Sequence, residues 1–261
     1  MISCGVMSPA SRVVIAEDLA SQYRWTRRVI NTSEFALLSY QSPVNQGLVL
    51  TVYIEGDGFA WSSRLKPSGD PTPKNPLALK LALQDESEAV AYLARPCQYL
   101  MHTQLSVCSS SLWTDARFSE EVIASSNEAI SQLKESVNAD KVNLIGFSGG
   151  GAVAALIAAR RDDVKRLVTV AGNLDHVAWT QTHHISPLTS SLNPADYWKN
   201  LSDVAQLHLV GSNDKVMPLV IAKAYRKQFV GIYQPEIRVI RGANHLCCWE
   251  RVWKKILLTL K

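Results

Sequence analysis

A serine stands between glycines at Gly146-Phe147-Ser148-Gly149-Gly150, after the apolar run Val142-Asn143-Leu144-Ile145 and before the small-residue run Gly151-Ala152-Val153-Ala154-Ala155. Gly-x-Ser-x-Gly between a strand and a helix marks a tight turn that lifts the serine Oγ clear of the backbone, and the residues two positions away must be small for the turn to close. The chemistry open to such a serine is nucleophilic attack on a carbonyl carbon. Amides at the start of the following helix point toward the site, which makes the N–H of Gly149 a natural donor to the oxyanion. A phosphate-binding loop is the competing use of these glycines. It is set aside because neither Gly-Lys-Ser/Thr nor Gly-x-Gly-x-x-Gly occurs in the chain.

A serine hydroxyl needs a base near neutral pH. After a turn of this kind the acid and then the histidine follow along the chain. Leu207-His208-Leu209-Val210 runs into Gly211-Ser212-Asn213-Asp214. Asp214 reads as the acid that would orient the base, and equally as a turn residue ahead of a helix. Val239-Ile240 runs into Arg241-Gly242-Ala243-Asn244-His245, and His245 alone meets both order and location. His208 falls inside a strand, while His102, His176, His183 and His184 precede Asp214. His183-His184 with Asp175 matches no metal-ligand spacing, so neither a metal nor an organic cofactor is expected. The second oxyanion donor is expected after the Leu48–Glu55 strand, in Glu55-Gly56-Asp57-Gly58-Phe59, where the glycines allow close backbone approach. Gly58 or Phe59 would supply it, with Phe59 preferred.

The elements that must position these residues follow from hydrophobic spacing. Strands are predicted at 35–40, 48–55, 89–94, 141–145, 167–171, 205–210 and 236–240. Helices are predicted at 118–137, 151–160, 219–229 and 246–260. Residues 62–76 are rich in Ser, Pro, Gly and Lys and read as a loop, and residues 172–203 read as irregular. Short apolar strands alternating with helices imply an α/β fold, a mainly parallel sheet with helices on both faces. Active sites of such sheets lie at the carboxyl ends of the strands, where Ser148, Asp214 and His245 all fall.

Composition narrows the function classes. The chain has 261 residues, 47% apolar and 19% charged, with a net charge of +4. It reads as one globular domain over 1–261. Lysines and arginines are scattered rather than clustered, which argues against nucleic acid as a partner, and no apolar run is long enough to span a membrane. Cys97 and Cys108 suit a disulfide in an oxidising compartment, or else stay buried thiols. Cys247-Cys248 could form only a strained ring disulfide, and with no Cys-x-x-Cys present a thiol-based enzyme is disfavoured.

These residues together resemble the α/β-hydrolase superfamily over nearly the whole chain. Within it the chain looks like a group of bacterial hydrolases, many of them described as lipoproteins. The matching stretches are Tyr53-Ile54-Glu55-Gly56-Asp57-Gly58, Leu93-Ala94-Arg95-Pro96-Cys97-Gln98-Tyr99, Trp113-Thr114-Asp115-Ala116-Arg117-Phe118 and Ser191-Leu192-Asn193-Pro194. The resemblance implies an eight-stranded, mostly parallel sheet and a Ser148–His245–Asp214 triad; residues 172–203, where this fold usually inserts a cap, read either as a small cap or as a packed crossover loop. It also gives a second reading to Met1-Ile2-Ser3-Cys4-Gly5. As an ordinary terminus this would belong to a cytoplasmic protein; as the end of a lipoprotein signal in a longer precursor it would place a lipid anchor on Cys4 and the protein at a membrane or in the periplasm. One departure is Glu55-Gly56, where many lipases carry His-Gly. The expected activity is hydrolysis of a small-molecule ester or related acyl bond through an acyl-enzyme. An acyltransferase with the same triad, or a non-catalytic binding protein on the same scaffold, are the alternatives.

Overall fold

The computed structural model describes residues 7–100, 107–231 and 234–260; Cys4 and His102 lie outside them. The strands are β1 (Thr26–Asn31), β2 (Ala36–Asn45), β3 (Val49–Ile54), β4 (Ala89–Leu93), β5 (Lys141–Phe147), β6 (Val164–Val170), β7 (Gln206–Gly211) and β8 (Glu236–Ile240). The helices are α1 (Pro9–Gln22), α2 (Leu77–Ala82), α3 (Glu120–Ser136), α4 (Gly149–Ala158), α5 (His176–His183), α6 (Leu219–Arg226) and α7 (Trp249–Leu258). All eight strands join one sheet in the order β1-β2-β4-β3-β5-β6-β7-β8. The β1–β2 and β2–β4 pairs are antiparallel and the others parallel.

Strand side chains alternate between faces, and the core divides accordingly. Val52, Ile54 and Leu144 pack with Ile123, Ile130 and Leu133 of α3 and with α4 on one face. Tyr53, Ile145 and Val168 pack with Leu79 and Leu81 of α2 and with Trp249 and Trp253 of α7 on the other. Because both faces are covered, β3 and β4 carry almost continuous apolar runs, and all five residues of β4 are buried. Every residue of α4 is buried, which explains its Gly-Gly-Gly-Ala-Val-Ala-Ala composition, since larger side chains would hold it off the sheet. In α3 the buried Val122, Ile123, Ala129, Ile130 and Leu133 make one stripe, with Glu120 and Glu121 in the first turn and Lys134 in the last. That charge order complements the helix dipole.

Several elements go beyond the sequence reading. Helix α1 starts at Pro9 behind an N-cap in which Ser8 Oγ accepts the Ser11 N–H at 3.1 Å. It buries Arg12 as well as Ala16 and Ala20, and the Arg12 guanidinium donates to the carbonyls of Thr72 and Asp70. Strand β1 pairs at the sheet edge, and α2 occupies a single short apolar stretch after Pro76. The 172–203 segment holds α5 and a 3₁₀ turn at Pro194–Tyr197, so it is more ordered than expected. Residues 62–76 contain neither helix nor strand. Cys97 is bonded to Cys108, and Cys247 to Cys248. No helix among the described residues is long and apolar enough to cross a membrane.

The contact of α7 with the sheet rests on Trp253, fully buried with its Nε1 donating to the Tyr53 hydroxyl at 3.3 Å. Trp253→Ala is expected to cost roughly 3–5 kcal/mol of stability, read as a lowered urea midpoint. A loss under about 1 kcal/mol would contradict this packing, since truncations that small are typical of exposed sites.

Candidate active site

The strand-to-helix turn forms as the glycines anticipate. Ser148 sits at φ 52°, ψ −119°, between the end of β5 and the start of α4. An L side chain rarely adopts this conformation, and such strain persists only where the surroundings impose it. Here they do. A Cβ on Gly146 would fall 2.2 Å from the Gly150 carbonyl oxygen, and one on Gly150 would fall 2.3 Å from that of Ile54. The Ser148 N–H donates to Val170, and its carbonyl accepts from the N–H groups of Gly151 and Asn173. The turn is thus pinned to β6 and to the loop behind it.

Parallel pairing of β7 with β8 brings two further loops to the same end of the sheet. His245 Nε2 lies 3.0 Å from Ser148 Oγ, and His245 Nδ1 lies 2.9 Å from Asp214 Oδ2. The Asp214 side chain is fully buried and that of His245 is 17% exposed. Asp214 Oδ1 accepts the N–H groups of Val216 and Met217, each at 2.8 Å. Burial alone would raise the Asp214 pKa. The bond and charge of His245, with the two amides, outweigh it and hold the carboxyl below its usual range. The histidine loop is fixed from behind, where Trp249 Nε1 donates to the carbonyls of Asn244 and His245. Ser148, His245 and Asp214 therefore form one hydrogen-bonded relay.

The other histidines do different things. Burial among β6, β7 and α6 pushes His208 down to about 3, and its ring meets Thr169 Oγ1 at 2.9 Å. His176 is likewise lowered by burial, and His183 Nε2 faces the Val216 carbonyl at 2.9 Å. Among the described residues no group of three or more His, Cys, Asp or Glu side chains could hold a metal ion. Cys247 and Cys248, two residues past the relay, carry no free thiol in their bonded state. A groove of about 870 Å³ opens at the opposite end of the sheet, beside Thr51, Asn143, Lys254 and Leu257; its lining carries the carboxylates Asp85, Glu86 and Glu88 but no histidine or cysteine.

The loop after β3 corrects one expectation. The Phe59 N–H donates to the Pro71 carbonyl at 2.9 Å, so it is not free to meet a substrate oxygen. Gly58, at φ 67°, turns toward Pro71 and Gln98, where a Cβ would fall 2.0 Å from the Pro71 oxygen. Gly56 in this loop lies against Ser148, since a Cβ on it would fall 3.3 Å from Ser148 Cβ. The N–H groups of Asp57, Gly58 and Gly149 have no acceptor among the described residues, so Gly58 is not overturned as a donor. Two partners of this loop were not read from the sequence. The Asp57 carboxylate pairs with Arg95 at 3.3 Å and Arg117 at 2.6 Å. Glu55 is buried, with Oε1 accepting the Gly56 and Ala78 N–H groups and Oε2 the Tyr92 hydroxyl.

Comparison with known proteins agrees with this architecture. A family model described as the alpha/beta hydrolase fold matches residues 97–185. An esterase of Pyrococcus furiosus superposes with a TM-score of 0.64 at 12% identity, covering 98% of this chain and 94% of its own. An alpha-beta serine hydrolase homologue from Coxiella burnetii gives 0.59 at 16% identity, covering 90% and 95%. Est1E from Butyrivibrio proteoclasticus gives 0.59 at 12% identity, covering 90% and 97%. Comparison with curated protein sequences finds no match. At these identities the likeness is one of fold.

Burial raises the Glu55 pKa from 4.5 to about 7, against the opposing hydrogen bonds. The folded chain therefore binds a proton that the unfolded chain releases between those values, and stability falls as pH rises through that window. Glu55→Gln removes this dependence. Its stability relative to wild type is expected to improve between pH 4.5 and pH 8, by on the order of 3 kcal/mol, in urea titrations across pH. A difference that does not change with pH would contradict the buried, proton-binding state.

Proposed function

This chain has the α/β-hydrolase fold, and we propose that it is a serine hydrolase cleaving a small-molecule ester through an acyl-enzyme. The observation that carries the reading is the continuous relay from Ser148 Oγ through His245 to the buried Asp214. A non-catalytic scaffold has no use for a strained serine aligned on a histidine whose other nitrogen meets a carboxylate. That an esterase of Pyrococcus furiosus shares the fold agrees with the reading.

Ser148 Oγ attacks the acyl carbon while His245 Nε2 takes its proton. Asp214 accepts the Nδ1–H bond, fixes the tautomer and stabilises the imidazolium. The charge that develops on the carbonyl oxygen is held by the N–H group of Gly149 and by one from the loop after β3, where Asp57 and Gly58 both have N–H groups without an acceptor among the described residues; Asp57, next to Gly56 at the turn, is the donor in this scheme. The tetrahedral intermediate collapses, the acyl–oxygen bond breaks, and His245 returns the proton to the leaving alkoxide. Water then attacks the acyl-enzyme, giving its proton to His245. Collapse of that intermediate breaks the Ser148 Oγ–acyl bond and releases the acid, while His245 returns the proton to Oγ and restores Ser148. The residues of 172–203 form a small cap in this scheme. Helix α5 rests on the loop of the acid, with Trp179 Nε1 donating to the Val216 carbonyl at 2.9 Å.

Ser148→Ala is expected to lower kcat on a p-nitrophenyl ester by on the order of 10⁵-fold or more, with an unchanged melting temperature. A panel of acyl lengths would set the range of substrates. Wild-type turnover by the variant would overturn the reading.

A further inference from the structure

Three of the stretches that carry the family resemblance meet in one cluster that the relay does not use. Asp57 comes from the loop after β3, Arg95 from the loop after β4, and Arg117 from the segment before α3. The Asp57 carboxylate spans the two guanidinium groups, Oδ1 to Arg95 and Oδ2 to Arg117. The side chains are 15%, 5% and 7% exposed respectively. Both arginines are held in turn. Arg95 donates to the Arg117 carbonyl, and Arg117 Nε to that of Thr114. Arg95 lies over the Phe118 ring at 5.5 Å and Arg117 over that of Trp179 at 5.8 Å. Gln98 completes the frame, accepting the Arg95 N–H and donating to the Gly56 carbonyl at 3.0 Å.

A buried ion cluster of this kind rarely adds stability over well-packed apolar residues, because desolvating each charge offsets the attraction. What it does supply is fixed geometry, through several directional bonds on one carboxylate. The location of that carboxylate gives the geometry a purpose. A Cβ on Gly149 would fall 2.0 Å from Asp57 Oδ1, so the carboxylate lies directly against the Gly149 backbone. In the mechanism proposed above, one side chain thus belongs to the residue carrying one oxyanion amide and lies against the residue carrying the other.

We infer that Asp57 is a positioning residue, whose carboxylate, clamped by Arg95 and Arg117, sets the separation of the Asp57 and Gly149 N–H groups. The inference rests on the hydrolase reading above. It explains why Gly149 has no side chain, and why an acid stands beside a site where negative charge develops. The two arginines neutralise it and leave the cluster with a net positive charge.

Charge and geometry make opposite claims about Asp57→Asn. Removing a negative charge beside the oxyanion would raise kcat if the field alone mattered. Losing the clamp frees an amide to move, and misplacements of up to about 1 Å cost about 10- to 100-fold. The test is steady-state kinetics of the full chain on a p-nitrophenyl ester for wild type, Asp57→Asn, Arg117→Gln and Arg117→Lys, with kcat expressed per folded molecule by circular dichroism. The expected result is a fall in kcat of about 10- to 100-fold for Asp57→Asn and Arg117→Gln with KM within about twofold, as for interactions made only in the transition state. Arg117→Lys should regain part of the loss, since it keeps the charge but not the planar fork. If Asp57→Asn fails to fold, the Arg117 pair decides the question by the same measure. A kcat per folded molecule at or above wild type in either Asp57→Asn or Arg117→Gln overturns the inference. A wild-type chain with no turnover and no labelling by a fluorophosphonate overturns the hydrolase reading itself, a result distinct from an active wild type with unimpaired variants.

Discussion

The backbone of Ser148 occupies a region of conformational space that costs about 1–3 kcal/mol to hold, and the rest of the site is arranged around holding it. Strand β5 must end and α4 must begin within one residue, which leaves no room for side chains at Gly146 or Gly150. The helix that follows is buried along its whole length, so it cannot shift to relax the turn. The Ser148 carbonyl, accepting the N–H groups of Gly151 and Asn173, closes the remaining freedom. A serine placed in this way presents its Oγ to whatever the neighbouring strands carry at their carboxyl ends.

Sheet order decides what those strands carry. β3 lies on one side of β5, and β6, β7 and β8 follow on the other. The loop after β3 therefore reaches the turn from one flank with its backbone amides, while those after β7 and β8 reach it from the other with Asp214 and His245. The two flanks differ electrostatically. Asp214 is held ionised by its histidine and two amides, whereas Glu55 is driven toward its neutral form by burial. Between them Asp57 is neutralised by two arginines. Three carboxyl groups within one end of the sheet thus meet three different environments, which is how one scaffold separates their roles.

Much of this was legible in the sequence, and the failures have physical reasons. The turn, and the places of Asp214 and His245 beside it, could be read because each follows an apolar strand directly, so local spacing carries the information. The preference for Phe59 failed because which amide is free depends on the Pro71 carbonyl, twelve residues on, taking its N–H. The pairing of Asp57 with Arg95 and Arg117 spans 38 and 60 residues, beyond any local pattern, although all three lie in stretches that carried the resemblance. Helix α1 escaped notice because it buries an arginine in place of an apolar residue. Strand β1, Thr-Arg-Arg-Val-Ile-Asn, escaped because an edge strand buries only Ile30 fully. Helix α5 was hidden by its polar composition, His-Val-Ala-Trp-Thr-Gln-Thr-His, which buries only His176 and Thr180.

The reactivity of Ser148 as an activated nucleophile is what covalent capture measures most directly. The wild-type chain would be incubated with a fluorophosphonate, digested, and the modified peptide located by mass spectrometry. One adduct per chain on Ser148, abolished by His245→Ala in a protein that stays folded, is the expected result. No adduct on the wild type, an adduct on another serine, or undiminished labelling of Ser148 without His245 would contradict the relay as the source of its reactivity.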